Sequence, residues 1–197
     1  MNETSILVAG SGGQGVLLLG RLIAYGGMLQ GEEVTCFPSY GAEIRGGTAN
    51  CTVIISDEMI GSPIAKNVDI LIVMNEASFK KFQPRIKQNG LLLYNSSLIK
   101  SPEIRKDLRV IEIPATEMAS ASNAGKNKSP LPGNGMKSAN MVMLGSFIAG
   151  TGILKEDTAV ISLEKLTSLK RRKNLEENKE AIRKGIMHIA DTTGKNS

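Results

Sequence analysis

Near the start of the chain, Gly10-Ser-Gly-Gly-Gln-Gly15 carries the first chemical signal. It lies between two apolar runs, Ile6-Leu-Val-Ala9 and Val16-Leu-Leu-Leu19. The first run reads as a buried strand, and the second opens a helix that is apolar almost all round. A glycine-rich turn from strand to helix gathers unpaired backbone N–H groups and the positive end of a helix dipole at one point. Such a point favours phosphates and other anions. Gly10, Gly12 and Gly15 satisfy the dinucleotide spacing G-x-G-x-x-G in the strand–turn–helix context it needs. Ser11, Gly13 and Gln14 complete the candidate contact set. The spacing leaves two readings open, because glycine turns also arise where a helix must lie close to a sheet.

A second stretch, Pro38-Ser-Tyr-Gly-Ala-Glu-Ile-Arg-Gly-Gly47, holds three glycines, a proline, the phenol of Tyr40 and the charged pair Glu43 and Arg45. Little of it is hydrophobic, so burial gives it poor reason to be ordered unless something contacts it. One reading is a wide turn with a surface ion pair. The other is a binding loop, in which Arg45 beside Gly46 and Gly47 suits a carboxylate or phosphate. A dinucleotide site of the usual kind wants an acid at the end of the second strand to hold a ribose hydroxyl. Here Glu32 and Glu33 precede that strand and Thr35-Cys36-Phe37 ends it, which speaks against NAD or FAD.

These stretches must be positioned by the elements around them. The spacing predicts a helix from Gly13 to Leu29, ending near Gly31, with the sheet on one side and another partner on the other. Strands are expected at Glu33–Phe37 (closed by Pro38), Thr48–Ser56, Asp69–Asn75, Gly90–Tyr94 and Leu108–Ile113. An amphipathic helix over Glu76–Lys87 would present Phe79, Phe82 and Ile86. From Ser120 to Lys137 the composition turns to Ser, Asn, Gly, Lys and Pro, which reads as a flexible loop within one domain covering residues 1–197. Ala139–Ile148 reads as a Met-rich helix whose methionines fill the core, with small residues suited to a close contact. Leu163–Leu169 reads as a short helix. Asn174–Ala190 reads as a final amphipathic helix with Leu175, Ile182, Ile186 and Ile189 on one face. Strands alternating with helices specify an α/β layered fold with a largely parallel sheet, and ligands in such folds sit at the carboxyl ends of the strands.

Composition narrows the chemistry further. The chain has 197 residues, a net charge of +5, 4% aromatics and no Trp, which speaks against a base-stacking nucleic-acid surface. Part of the basic charge lies in Lys170-Arg-Arg-Lys173, which reads as a solvated face before a nucleic-acid site, with a patch for an acidic partner subunit or an anionic ligand as a further reading. Cys36 and Cys51 are the two cysteines. A four-thiolate iron–sulfur cluster cannot come from this chain alone, and a reduced cytosolic pair is the expectation. No basic leader with an apolar segment begins the sequence, and no run reaches the roughly 20 apolar residues that span a bilayer. A cytoplasmic protein is expected. No G-x-S-x-G occurs, the lone His188 has no nucleophile near it in sequence, and no Walker lysine follows the glycines. The chain shows a binding edge without a catalytic engine, as if other subunits complete the site.

Four blocks taken together are more specific than any one of them. Gly10–Gly20 (G-S-G-G-Q-G-V-L-L-L-G), Pro38–Asn50 (P-S-Y-G-A-E-I-R-G-G-T-A-N), Pro114–Glu117 (P-A-T-E) and Ala139–Gly145 (A-N-M-V-M-L-G) resemble the gamma subunit of 2-oxoacid:ferredoxin oxidoreductases. The resemblance implies a Rossmann-like α/β subunit, with helices flanking its sheet, in a complex that oxidatively decarboxylates a 2-oxoacid. The products are an acyl-CoA and CO2, and the electrons go to ferredoxin. It implies alpha, beta and ferredoxin-like delta partners that hold thiamine diphosphate, magnesium and the iron–sulfur clusters. The gamma part would contribute a contact to coenzyme A, with no nucleic acid or membrane involved. Carried to this chain, it makes Gly10, Ser11, Gly12, Gly13, Gln14 and Gly15 one candidate wall, with Gly12, Gly13 and Gly15 allowing close backbone approach. Tyr40, Gly41, Glu43, Arg45, Gly46 and Gly47 form the other, with Arg45 on an anion and Glu43 orienting it. No residue receives a catalytic role. The continuation Arg45–Ala49 resembles the 2-oxoglutarate branch more than the pyruvate or branched-chain branches. The stretch Ser122–Met136 departs from the family pattern and looks inserted.

Overall fold

The computed structural model describes residues 3–40, 48–121, 138–167 and 174–194. The candidate residues Gly41, Glu43, Arg45, Gly46 and Gly47, residues 122–137 of the expected 120–137 loop and the basic run 170–173 lie outside them.

Strand β1 (Thr4–Ser11) holds Ile6, Leu7, Val8 and Ala9 fully buried, because apolar residues face both sides of a central strand. It runs through the glycine turn into helix α1 (Val16–Leu29). That helix starts three residues later than the spacing predicts, since Gly13 and Gly15 take left-handed φ values of 88° and 74° and belong to the turn. Strand β2 (Glu33–Tyr40) continues past Pro38, where the sequence suggests a stop. It is the outermost strand, and an edge strand tolerates a residue without an N–H.

Strand β3 (Thr48–Ser56) has the bounds its β-branched sequence predicts. Strands β4 (Val68–Val73), β5 (Ile86–Asn95) and β6 (Arg109–Ile113) follow. Helix α2 (Glu76–Phe82) is shorter than expected. Pro84 cannot donate into a helical ladder, so residues 83–85 close as a 3₁₀ turn and Ile86 already belongs to β5. Helix α3 (Ala115–Ala121), opened by Pro114, is not expected from the sequence. Helix α4 (Ala139–Thr151) follows, and helix α5 (Glu156–Leu166) lies earlier than the predicted Leu163–Leu169. Its missed start carries Glu156 and Asp157 in the first turn, where negative charge suits the helix dipole. Helix α6 (Leu175–Gly194) runs four residues past the expected Ala190.

The strand order is β2-β3-β1-β4-β5-β6. β1, β4, β5 and β6 pair in parallel, while β3 is antiparallel to both β1 and β2. The sheet is therefore mixed, because β2 and β3 pair directly as antiparallel neighbours. One face carries α1, α3, α4, α5 and α6 over a core of Ile6, Val8, Val53, Ile72 and Leu93. The other is covered by α2, whose Phe79 and Phe82 pack with Leu7, Leu71 and Leu92.

Met141 and Met143 are buried core residues, as expected. The small residues of α4 do receive a close neighbour. A Cβ at Gly145 would collide with the carbonyl of Ile182, and one at Gly185 with the carbonyl of Val142. Ser146 Oγ donates to the Gly185 carbonyl at 3.2 Å across the same crossing. Helix α1 is fastened at its far end by Gln30. Its side chain donates to the Ile153 carbonyl at 2.9 Å and accepts from Lys155 N at 2.7 Å and Thr158 Oγ1 at 3.0 Å. The partner on the outer side of α1 is thus α5 and the segment leading into it.

Candidate functional site

Every strand but β3 points the same way, so β1, β2 and β4 end at one edge and β3 begins there. Ser11 stands opposite Thr48, and Tyr40 opposite Ala49. The two stretches singled out by sequence therefore reach the same carboxyl edge: the glycine turn at the end of β1, and the end of β2 at Tyr40.

The turn is built from beneath by Gln14. Although polar, Gln14 is only 4% exposed. Its Oε1 accepts from Ser11 N at 2.7 Å, and its Nε2 donates to the Met74 carbonyl at 3.3 Å, tying the turn to the end of β4. Ser11 Oγ accepts from Asn75 Nδ2. Asn75 also caps α2 by accepting from Ser78 N at 2.9 Å. One buried amide and one cap thus hold β1, β4 and two helix starts in a fixed relation.

The glycines divide by what lies opposite them. A Cβ on Gly10 would come within 2.7 Å of Gln14 Oε1 and Val16 Cγ2, so the side chain is excluded by packing. One on Gly15 would strike the amide of Asn140 on α4, whose Nδ2 donates to the Gly15 carbonyl at 3.3 Å. Gly12 and Gly13 differ: both are exposed, and a Cβ on either would meet nothing within 4 Å among the described residues. The packing reading and the ligand reading of a glycine turn are both present, at different positions. Of the three glycines expected to allow close approach, Gly12 and Gly13 form the open crest and Gly15 faces α4.

Above that crest the electrostatics favour an anion. Helix α1 begins without a side-chain cap and without an acidic residue in its first turn. Its first N–H groups have no intrahelical partner, and the dipole leaves positive potential there. Lys81, on α2, donates to Thr48 Oγ1 at 3.2 Å and brings a cation to the same edge, across the β1–β3 pair from Ser11. Asn140, 3% exposed, adds nothing to that positive potential: its Oδ1, an acceptor, is buried without a hydrogen-bond partner among the described residues.

Sequence reasoning missed Asn75, Lys81 and Asn140 as parts of this edge. The only available signal for Asn75 was its place just before a helix, as a capping residue. Asn140 lay inside a quoted block, but its partner Gly15 is 125 positions away.

No acid–base engine accompanies the turn among the described residues. The Tyr94 hydroxyl, at the end of β5, is pushed up to about 12 by burial and by the Glu112 carboxylate, to which it donates at 2.7 Å. It therefore stays protonated at neutral pH. His188 lies on α6, within 3.2 Å of the Glu112 carbonyl. Among the described residues, no group of three or more His, Cys, Asp or Glu side chains is placed to hold a metal. None of their helices is long and apolar enough to cross a membrane. The two thiols do not supply the donor set of an iron–sulfur cluster.

Comparison with known proteins gives this geometry a context. Residues 5–187 match the family described as pyruvate ferredoxin/flavodoxin oxidoreductase. The 2-oxoglutarate synthase subunit KorC of Archaeoglobus fulgidus is 33% identical over 184 residues, covering 93% of this chain and 87% of its own length. The ketoisovalerate oxidoreductase subunit VorA of Methanothermobacter marburgensis is 34% identical over 147 residues, or 75% of this chain. This chain spans only 28% of that longer relative. A solved 2-oxoglutarate:ferredoxin oxidoreductase from Magnetococcus marinus, with 2-oxoglutarate, coenzyme A and succinyl-CoA bound, superimposes on 98% of this chain and 32% of its own. The TM-score is 0.81, at 26% identity.

Proposed function

Because the chain belongs to the pyruvate ferredoxin/flavodoxin oxidoreductase family, we propose that it is the gamma subunit of a cytoplasmic 2-oxoacid:ferredoxin oxidoreductase that acts on 2-oxoglutarate. Residues 1–197 form one gamma-type domain in this reading. The observation that carries it is the match to the 2-oxoglutarate synthase subunit over nearly the whole of both chains. The ketoisovalerate relative is matched over a minor part of its length, so it supports the class more than the acid.

Within such a complex the chain's task is binding. Thiamine diphosphate, magnesium and the iron–sulfur clusters belong to alpha, beta and delta partners, and ferredoxin takes the electrons. The carboxyl edge serves coenzyme A. Its phosphates suit the open crest at Gly12 and Gly13, the uncapped start of α1 and the Lys81 ammonium. Gly10, Gln14 and Gly15 hold that crest in place, with Ser11 pinned by Asn75. Tyr40, Gly41, Glu43, Arg45, Gly46 and Gly47 supply the second wall, with Arg45 as the anion contact and Glu43 as its orienting partner.

A stand-alone dinucleotide module is the weaker reading. A ribose-holding acid acts from the end of a strand beside β1. Here β3 lies between β1 and β2, and neither Glu32 nor Glu33 is at the carboxyl edge.

The test is reconstitution. Purified with its alpha, beta and delta partners, the chain is expected to support coenzyme A-dependent oxidation of 2-oxoglutarate with reduction of ferredoxin. Without them it is expected to be inert. Full turnover by the partner-free chain, or tight NAD binding by it in calorimetry, would overturn the proposal.

A further inference from the structure

Away from the glycine turn, two thiols meet across the β2–β3 pair. The register sets Cys36 opposite Val53 and Pro38 opposite Cys51, so the cysteines are diagonal neighbours on one face. Their Sγ atoms are 3.4 Å apart. The two environments differ sharply. Cys36 is exposed on the edge strand, whereas Cys51 is 1% exposed under α1. There Gly20 makes room for it, since a Cβ at Gly20 would lie 2.7 Å from Cys51 Sγ. With Cys51 as hydrogen-bond donor, the Cys36 thiol is drawn down to about 7; partial burial opposes this, and the Arg21 guanidinium adds a smaller downward pull. The same contact and burial push the Cys51 thiol up. In that arrangement one sulfur is reachable and lies nearer its thiolate form than an ordinary cysteine, and the other is a sheltered thiol in contact with it.

We propose that Cys36 and Cys51 form a peroxide-responsive thiol pair, in which exposed Cys36 is oxidised first and buried Cys51 resolves it to a disulfide. In the first step the Cys36 thiolate attacks one oxygen of hydrogen peroxide. An S–O bond forms, the O–O bond breaks, and the departing hydroxide takes a proton to leave as water. In the second step Cys51 gives up its proton and its sulfur attacks the Cys36 sulfenic sulfur. The S–S bond forms as the S–O bond breaks, and a second water leaves. Two electrons pass from the thiols to the peroxide, and two thiols plus one peroxide give one disulfide and two waters. The sulfurs must close from 3.4 Å to about 2.05 Å, with the edge strand β2 shifting as the bridge forms. The bridge would span sequence positions 37–50, which include the second candidate contact stretch.

Intact-mass spectrometry of the full chain after hydrogen peroxide tests this without any substitution. The expected product has lost two hydrogens, resists alkylation at both cysteines under denaturing conditions, and regains both thiols on treatment with dithiothreitol. Peptide mapping should place the bridge within one chain. Cys36→Ser should slow peroxide consumption by about tenfold or more, and Cys51→Ser should leave a Cys36 sulfenic acid that dimedone traps. Three results would overturn the proposal: both thiols remaining alkylatable after a peroxide dose that oxidises free dithiothreitol, a Cys36 bridge between two chains, or sulfinic acid as the product of the native pair.

Discussion

At the amino-terminal edge of the sheet, Asp69 of β4 is surrounded by partners from this chain. Its carboxylate accepts from Ser5 N at 2.9 Å, Ser5 Oγ at 2.6 Å and Lys87 Nζ at 2.9 Å, and its own N–H donates to Ser5 Oγ at 3.1 Å. At the carboxyl-terminal edge the same kinds of group are satisfied only from below. Gln14 and Asn75 hold the turn, yet α1 starts with no acid or cap, and a Cβ on Gly12 or Gly13 would meet nothing within 4 Å among the described residues. A chain that pairs a charge with its own residues at one edge leaves the start of α1 without a counter-charge at the other. The contrast supports the view that the carboxyl edge is completed from outside, by an anionic ligand and by other subunits.

Substitutions at the two edges should therefore fail in different ways. The largest effect is expected at the lower side of the turn. Gly15→Val forces a β-branched residue into a left-handed φ and drives it into Asn140, so a loss of about 3 kcal/mol in urea unfolding is expected. A variant within about 0.5 kcal/mol of the parent would show that the turn is not packed as described.

Asp69→Asn should matter less, and mainly through pH. Burial pushes the Asp69 carboxyl up, but hydrogen bonds from Lys87 and Ser5 outweigh it and hold the group below the usual carboxylate range. A group depressed in the folded state stabilises above its unfolded value of about 3.9, and that contribution disappears as pH falls through the folded value. The Asp69→Asn variant should show a flatter acid-side loss in thermal melts and cost less than about 1 kcal/mol at neutral pH, because the ion pair is partly exposed. It should leave the coenzyme A response unchanged, since it lies at the opposite edge. A changed coenzyme A KM would break the contrast between the edges.

Much of this architecture is legible in the sequence. β1 and β3 can be read because continuous burial and β-branching leave one interpretation, and β3 matches residue for residue. The errors fall where a local rule meets tertiary context. β2 runs through Pro38 because it is an edge strand, and α2 stops early because Pro84 breaks the ladder. The sheet is mixed because β3 inserts between β1 and β2, which no local pattern announces. At the candidate site the glycine spacing locates the turn. It cannot divide the glycines into packed and open ones, because that depends on Asn140 and Met74, distant in sequence. The sequence implies a reduced pair of cysteines, and both are free, but their contact across two strands depends on register.

The central claim is that the open crest of the turn receives coenzyme A, and Gly12→Val tests it most directly. A Cβ there meets nothing within 4 Å among the described residues, so the fold should be unaffected while the space above the crest is filled. In the assembled complex, steady-state kinetics should show a coenzyme A KM raised by about tenfold or more, about 1.4 kcal/mol, with the 2-oxoglutarate KM unchanged. An intact complex whose coenzyme A KM and kcat both equal those of the parent would contradict the account.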